Sequence, residues 1–224
     1  MGLRNLVLDM GNVLLGWEPR AFALRAAGNV EDAEVLFATL FDTPEWHLHD
    51  AGQIAEEELL RVSLARTPDR LRDTLRVLFE EWPRWMPQIT GVDAFTARAR
   101  EAGLRLYLLS NAGTRFPSVI QERGFYSLFD GAVVSAHEKV SKPDARIYRR
   151  LCERYGLLPG ECLFVDDLIE NVRGAEAAGM HAQHFLGDFA AVEDRLREFG
   201  VLLPGHAGEE NAVQAAGPGD AERD

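Results

Sequence analysis

The 224-residue chain carries 24 Lys+Arg against 36 Asp+Glu, a net charge of -12, with 46% hydrophobic and 27% charged residues. That length and balance suit one α/β domain, alone or with an insert, and the negative field argues against nucleic acid or an anionic membrane as partner. No apolar stretch approaches the roughly 20 residues of a bilayer span, and the N-terminus lacks signal-peptide features, so a cytoplasmic protein is expected. Cys152 and Cys162 have neither CxxC nor zinc spacing and are expected to stay reduced.

In chain order, the stretch Leu6-Val7-Leu8-Asp9-Met10-Gly11-Asn12-Val13 opens as an apolar run of strand length that ends on a carboxylate. Such short unbroken runs suit a strand covered on both faces, as in a parallel sheet. Residues 17–87 contain no strand-like run. Helices are expected there over residues 21–27, 31–41, 54–64 and 71–82, each with an apolar stripe. From Val92 the texture changes to alternation: helix 92–102, strand 104–109, helix 116–122, strand 132–134, helix 144–155, strand 162–165, helix 168–178, strand 181–185 and helix 189–199. This pattern predicts βαβ units and an α/β fold, a doubly wound, Rossmann-like parallel sheet of about five strands. The tail from Pro204 to Asp224, rich in Gly, Ala, Pro and acids, is expected to be disordered and to carry no chemistry.

Three strand ends carry polar groups: Asp9, Ser110-Asn111 and Asp166-Asp167. In open α/β sheets, chemistry gathers beyond the carboxyl ends of the strands, and a central first strand would let all three groups converge. Lys142, set before Pro143, is biased toward an extended backbone and could be aimed at the same place. Adjacent carboxylates near a third repel one another unless a cation intervenes. Mg²⁺ favours one or two carboxylates plus water and phosphate oxygens. The competing reading makes Asp167 the N-cap of the next helix.

These residues resemble the haloacid dehalogenase superfamily of aspartyl-nucleophile hydrolases. The likeness runs from Leu6 to about Phe199 and rests on four motifs in order: Asp9-Met10-Gly11-Asn12-Val13, Leu109-Ser110-Asn111, Lys142-Pro143 and Val165-Asp166-Asp167. Together with Trp46-His47-Leu48-His49, it is most similar to the bacterial branch that includes α-D-glucose-1-phosphate phosphatase. The resemblance implies a core of residues 1–16 and 88–203 and a helical cap of residues 17–87, with hinges near Gly16 and near Pro87 to Gly91. It also implies an Mg²⁺-dependent phosphatase acting on a small phosphorylated metabolite such as a sugar phosphate, as a monomer or homodimer. Asp9 would attack phosphorus and Lys142 would neutralise the transferring group. Gly11, Asn12, Ser110, Asn111, Lys142 and His47 would contact phosphate or substrate. Asp9, the Gly11 carbonyl, Asp166 and Asp167 would hold the metal. Asn171 is expected either to touch Lys142 or a metal-bound water, or to be a helix-surface amide.

One position departs from the pattern. Most phosphatases of this superfamily place a second Asp two residues after the nucleophile, and here that residue is Gly11. General acid–base help typically contributes about 10²–10⁴-fold. A sugar 1-phosphate, with its more acidic leaving oxygen, would need it less. Glu18, His47 or His49 are candidate proton donors, but the two histidines do not share a helix face, so one at most should reach the site and a surface role for both is the simpler expectation. Trp17, Trp46, Trp82 and Trp85 are read first as cap packing, with sugar contact as the alternative, and His137, His181 and His184 as packing or surface residues. Two competing functions are a 2-haloacid dehalogenase, whose halide leaving group needs neither proton donor nor metal, and a non-catalytic phospho-ligand or partner-binding protein.

Overall fold

β1 (Asn5–Leu8) is buried along its whole length because it lies in the middle of a parallel sheet. In the computed structural model, which describes residues 2–116, 120 and 122–205, the other strands are β2 (Arg105–Ser110), β3 (Gly131–Val134), β4 (Cys162–Asp166) and β5 (His181–His184). The order across the sheet is β3-β2-β1-β4-β5. Leu8 of β1 stands opposite Leu108 on one side and Val165 on the other, and β2 and β4 run on past it to Ser110 and Asp166. Alternate side chains serve two cores. Leu6, Leu8, Leu106, Leu108, Leu163 and Val165 enter one, while Val7, Tyr107, Leu109 and Phe164 enter the other.

Between β1 and β2 the chain forms α1 (Pro19–Ala27), α2 (Val30–Leu40), α3 (Pro44–Asp50), α4 (Glu56–Arg66) and α5 (Arg72–Trp85), and then α6 (Val92–Glu101). The remaining helices are α7 (Ser135–Glu138), α8 (Ala145–Tyr155), α9 (Ile169–Ala177) and α10 (Phe189–Glu198). Phe95 of α6 and Val192 and Leu196 of α10 pack into the first core. Ile147 and Leu151 of α8 and Val172 and Ala175 of α9 pack into the second. Helices therefore cover both faces of the sheet, the doubly wound arrangement expected of alternating elements.

The differences from the expected elements have local causes. The helix α3 has no counterpart among them; its seven residues carry no apolar stripe, but Thr43 caps it by accepting from the Trp46 N–H and Pro44 opens it. The fifth helix continues past Trp82 through Pro83 to Trp85. Pro83 has no N–H to give the Phe79 carbonyl, and Arg115 donates to that carbonyl instead, at 3.1 Å. The expected helix over 116–122 lies largely outside the described residues, and the tail from 206 onward lies wholly outside them. Cys152 and Cys162 are buried free thiols. Among the described residues, no helix is long and apolar enough to cross a membrane.

The two connections to the five-helix segment run side by side. The Gly16 N–H donates to the Pro87 carbonyl at 2.7 Å, and the Ile89 N–H to the Leu14 carbonyl at 2.9 Å. Both attachment points thus sit just beyond β1, next to Asp9.

Candidate active site

Asp9 follows β1 directly, and its N–H continues the ladder by donating to the Val165 carbonyl at 2.9 Å. Its carboxylate accepts from Lys142 Nζ at 2.7 Å. The same ammonium bonds Asp166 Oδ2 at 2.6 Å and the Leu109 carbonyl at 2.9 Å. All three donor positions of the Lys142 ammonium are used, and the residue is only 4% exposed. Burial alone would lower the lysine's pKa, but Asp9 and Asp166 more than offset it and hold the group above its ordinary value, so it is charged.

Three asparagines fix this arrangement. The side chain of Asn111 grips the backbone of Lys142, donating to its carbonyl at 3.0 Å and accepting from its N–H at 2.8 Å. Asn171 is buried and donates to Asp166 Oδ1 at 3.0 Å, so it is neither a surface amide nor a partner of Lys142. Asn12, at φ 53°, donates to Asp167 Oδ2 and accepts from the Trp17 N–H, both at 2.9 Å. The side-chain amides of Asn12 and Asn111 are committed to Asp167 and to Lys142, which leaves backbone N–H groups for the expected phosphate contacts. The N-cap reading of Asp167 does not hold either. The helix α9 starts after Leu168 without a side-chain cap, and it is Asp166 that accepts from the Leu168 N–H at 2.9 Å. The Asp167 carbonyl is bonded by His184 Nε2 at 2.9 Å, a positioning contact with no signal in the sequence. His181 packs on the Phe199 ring and His137 is exposed.

Carboxylate oxygens of Asp9, Asp166 and Asp167 all lie within 4.8 Å of one another. Burial pushes the Asp9 carboxyl up to about 7, against the pull of Lys142 and with the charge of Asp166 adding to the rise. Burial also raises Asp167, partly countered by the bond from Asn12. Three carboxylates share one lysine, and the shortfall of positive charge falls on this cluster. Hard oxygen donors with a charge deficit fit Mg²⁺.

A cavity of about 480 Å³ opens above these groups. Asp9, Gly11, Asn12, Ser110, Asn111, Lys142 and Asp167 form its floor, and residues of the five-helix segment form its walls. Ser110 ends β2 and is buried. Both His47 and His49 border the cavity, contrary to the expectation that one at most would. Separate helix faces keep two residues apart only where a helix lies side-on to a site; here residues 46, 47, 49 and 50 from the last turn of α3 all border the space. His47 is exposed. His49 is buried against Gly113, and neither ring nitrogen has a hydrogen-bond partner among the described residues. Burial, with Arg115 nearby, lowers its pKa. Glu18 is exposed and does not border the cavity.

Asp50 carries no motif that would single it out in the sequence. Burial pushes its carboxyl up to about 7 against hydrogen bonds from Trp46 and from the Gly113 backbone, and one oxygen lies 3.8 Å from His49 Nδ1. Its carbonyl accepts from Ser135 Oγ. Two residues on, Gly52 has φ 67° and packs so closely on the Ala136 carbonyl that a Cβ would come within 2.1 Å of the oxygen. This turn docks the helical segment onto the rim of the sheet.

The fold and this cluster define an α/β hydrolase with its acidic site at the carboxyl edge of a parallel sheet. The chain belongs to the haloacid dehalogenase-like hydrolase family, whose model matches residues 4–179. It is 27% identical over 195 residues to the sesquiterpene phosphatase astK of Aspergillus oryzae, covering 82% of this chain and 90% of that protein. A phosphoserine phosphatase of Thermus thermophilus is 33% identical over 120 residues, 51% of this chain and 47% of that enzyme. Among solved structures, a haloacid dehalogenase family enzyme of Bacteroides thetaiotaomicron, in complex with magnesium and inorganic phosphate, superposes with a TM-score of 0.63 at 20% identity, covering 85% of this chain and 99% of that one.

Proposed function

We propose that this hydrolase is an Mg²⁺-dependent phosphatase that cleaves a small phosphomonoester through an aspartyl-phosphate on Asp9. The observation that carries the reading is the position of Lys142 Nζ, bonded at once to Asp9 and Asp166 beside a third carboxylate. Asp9, with Asp166, Asp167 and the Gly11 carbonyl, would hold the ion, which supplies positive charge to the phosphate oxygens when bound. Asp9 attacks phosphorus in line and the ester oxygen leaves with a proton; water then attacks the aspartyl-phosphate, breaking the bond to Asp9 and releasing inorganic phosphate. Lys142 stays charged throughout and stabilises the charge spread over the transferring group. Ser110, at the end of β2, offers its hydroxyl to a phosphate oxygen. Named relatives with phosphatase activity, and a fold neighbour holding magnesium and phosphate, support this reading. The acidic trio argues against the dehalogenase alternative, since displacing halide needs no metal.

Gly11 cannot donate the leaving-group proton. The Asp50 carboxyl borders the same cavity, and a value near 7 suits a general acid at neutral pH. We assign it that role, with the helical segment acting as a cap that closes over the substrate. A sugar 1-phosphate, the substrate the resemblance suggests, would need less of this help than an ordinary alkyl ester. The test is phosphate release from a panel of phosphomonoesters, with and without Mg²⁺, by wild type and Asp9→Asn. Activity that requires Mg²⁺ and vanishes in Asp9→Asn is expected. A variant as fast as wild type would remove Asp9 from the mechanism, and trapping of beryllium fluoride by wild type but not by Asp9→Asn would argue against a non-catalytic binder.

A further inference from the structure

The walls of the cavity differ in chemistry from its floor. Trp17, Phe37, Phe41, Trp46, Phe79 and Trp82 all border it. They form a packed box of rings rather than separate platforms. Trp17 stacks on Trp46 at 5.5 Å and meets Trp82 edge-on at 5.1 Å, and Phe41 meets Trp46 at 4.8 Å. Rings fixed by one another keep the space open at little cost in side-chain entropy and present carbon to it.

The polar groups on the walls are few, and of these only His49 is both buried and without a hydrogen-bond partner among the described residues. Asp50 takes hydrogen bonds from Trp46 and Gly113. Arg115 pairs with Glu56 at 2.9 Å and Glu80 at 2.6 Å and donates to the Phe79 carbonyl. Asp42 and His47 are exposed. Beyond His49, a sugar ring placed among the aromatic walls would find few partners for its hydroxyl groups, and an unmade buried hydrogen bond is heavily penalised. A hydrocarbon needs none.

Resting on the phosphatase reading, we infer that the aromatic box above Asp9 selects phosphomonoesters whose organic group is apolar, an alkyl or terpenoid-like chain of roughly ten carbons rather than a sugar. The size follows from the volume. At roughly 30 Å³ per water-sized group, about 480 Å³ holds on the order of sixteen non-hydrogen atoms, phosphate included. The phosphate lies on the polar floor, and the chain runs up along the aromatic wall.

The test is a homologous series of n-alkyl phosphates from ethyl to dodecyl, with glucose 1-phosphate, O-phosphoserine and p-nitrophenyl phosphate, assayed with saturating Mg²⁺. The value of kcat/KM should rise by roughly fourfold per added methylene, as apolar transfer dictates, level off near ten carbons, and exceed that of glucose 1-phosphate. A rate independent of chain length, or a preference for glucose 1-phosphate or O-phosphoserine, overturns the inference while leaving the phosphatase reading intact. No release from any ester, p-nitrophenyl phosphate included, overturns the phosphatase reading. Binding of non-hydrolysable n-alkyl phosphonates, followed as a Tm shift, then still decides the matter: a shift that grows with chain length supports the apolar box, and a constant or absent shift refutes it.

Discussion

Replacing Asp50 with Asn keeps the shape of the side chain and its acceptor oxygen for Trp46 and Gly113 but removes the titrating proton. The size of the effect follows from the environment of the carboxyl. At pH 6 a group at about 7 is roughly nine-tenths protonated, whereas one at the ordinary value of 3.8 is protonated less than about 1% of the time, a difference of roughly 150-fold in available acid. That lies within the about 10²–10⁴-fold typical of a positioned acid. Asn has no acid at any pH, so on alkyl phosphates at pH 6 Asp50→Asn should lose the whole contribution of a positioned acid, about 10²–10⁴-fold in kcat/KM. On p-nitrophenyl phosphate, whose leaving group needs no proton, it should lose little. The ratio of the wild-type rate to the Asp50→Asn rate on alkyl esters should also fall as pH rises through about 7, since the ionisation of Asp9 is common to both proteins. Adding Gly11→Asp to the Asp50→Asn variant supplies a rescue: a Cβ at residue 11 would meet only Trp17 Cβ, at 3.9 Å, so there is room for a carboxyl two residues after Asp9. Phosphate release across pH 5–8 for the two esters is the assay. Equal losses on both esters would reduce Asp50 to a structural contact, and an undiminished alkyl rate would refute its role outright.

Other outcomes follow from the same groups. Asp50 has a folded pKa above its unfolded value, so the folded state holds the extra proton; its contribution is present below about pH 4 and is lost as pH rises to about 7. Asp50→Asn should flatten that slope and stabilise the protein at pH 8 relative to wild type, by about 2 kcal/mol and at most about 4; urea unfolding at pH 4.5 and 8 checks it, and parallel slopes would count against a buried acid. Lys142→Met leaves Asp9 and Asp166 without their shared cation and should destabilise by about 3–5 kcal/mol while abolishing turnover; a variant with wild-type stability and rate would undo the electrostatic account. Adding Mg²⁺ at 100 times its Kd should stabilise the protein by about 2.7 kcal/mol over an EDTA-treated sample, a Tm rise of roughly 5–10 °C, and the rise should disappear in Asp167→Asn paired with Asp9→Asn.

The strands were legible because a sheet covered on both faces demands apolar runs, and Leu6–Leu8, Leu106–Leu109 and Leu163–Val165 supply them. The nearness of Asp9 and Asp166 followed from that pattern, since neighbouring parallel strands end on the same side of the sheet, whereas Lys142 comes from the connection before α8 and had only Pro143 beside it as a signal. What the amides touch was not legible. Asn12, Asn111 and Asn171 share a side-chain chemistry, and only the fold decides that one holds Asp167, one the backbone of Lys142 and one Asp166. Asp50 was hidden for a different reason. A lone Asp near a short helix end reads as a solvated turn, and its desolvation comes with Trp46 and Gly113 beside it, the latter distant in sequence. The Thr43-Pro44 start of its helix was a signal that apolar periodicity alone passes over. The tryptophans pack, as expected, yet Trp17, Trp46 and Trp82 also border the cavity, because rings from three separate stretches meet there.

Asp9, Lys142 and Asp166 are drawn from almost opposite ends of the described chain, and the central strand acquires its second neighbour only when β4 arrives. During translation Asp9 is made first and Lys142, Asp166 and Asp167 more than a hundred residues later. A product arrested before that point lacks these neighbours of Asp9 as well as one flank of its sheet.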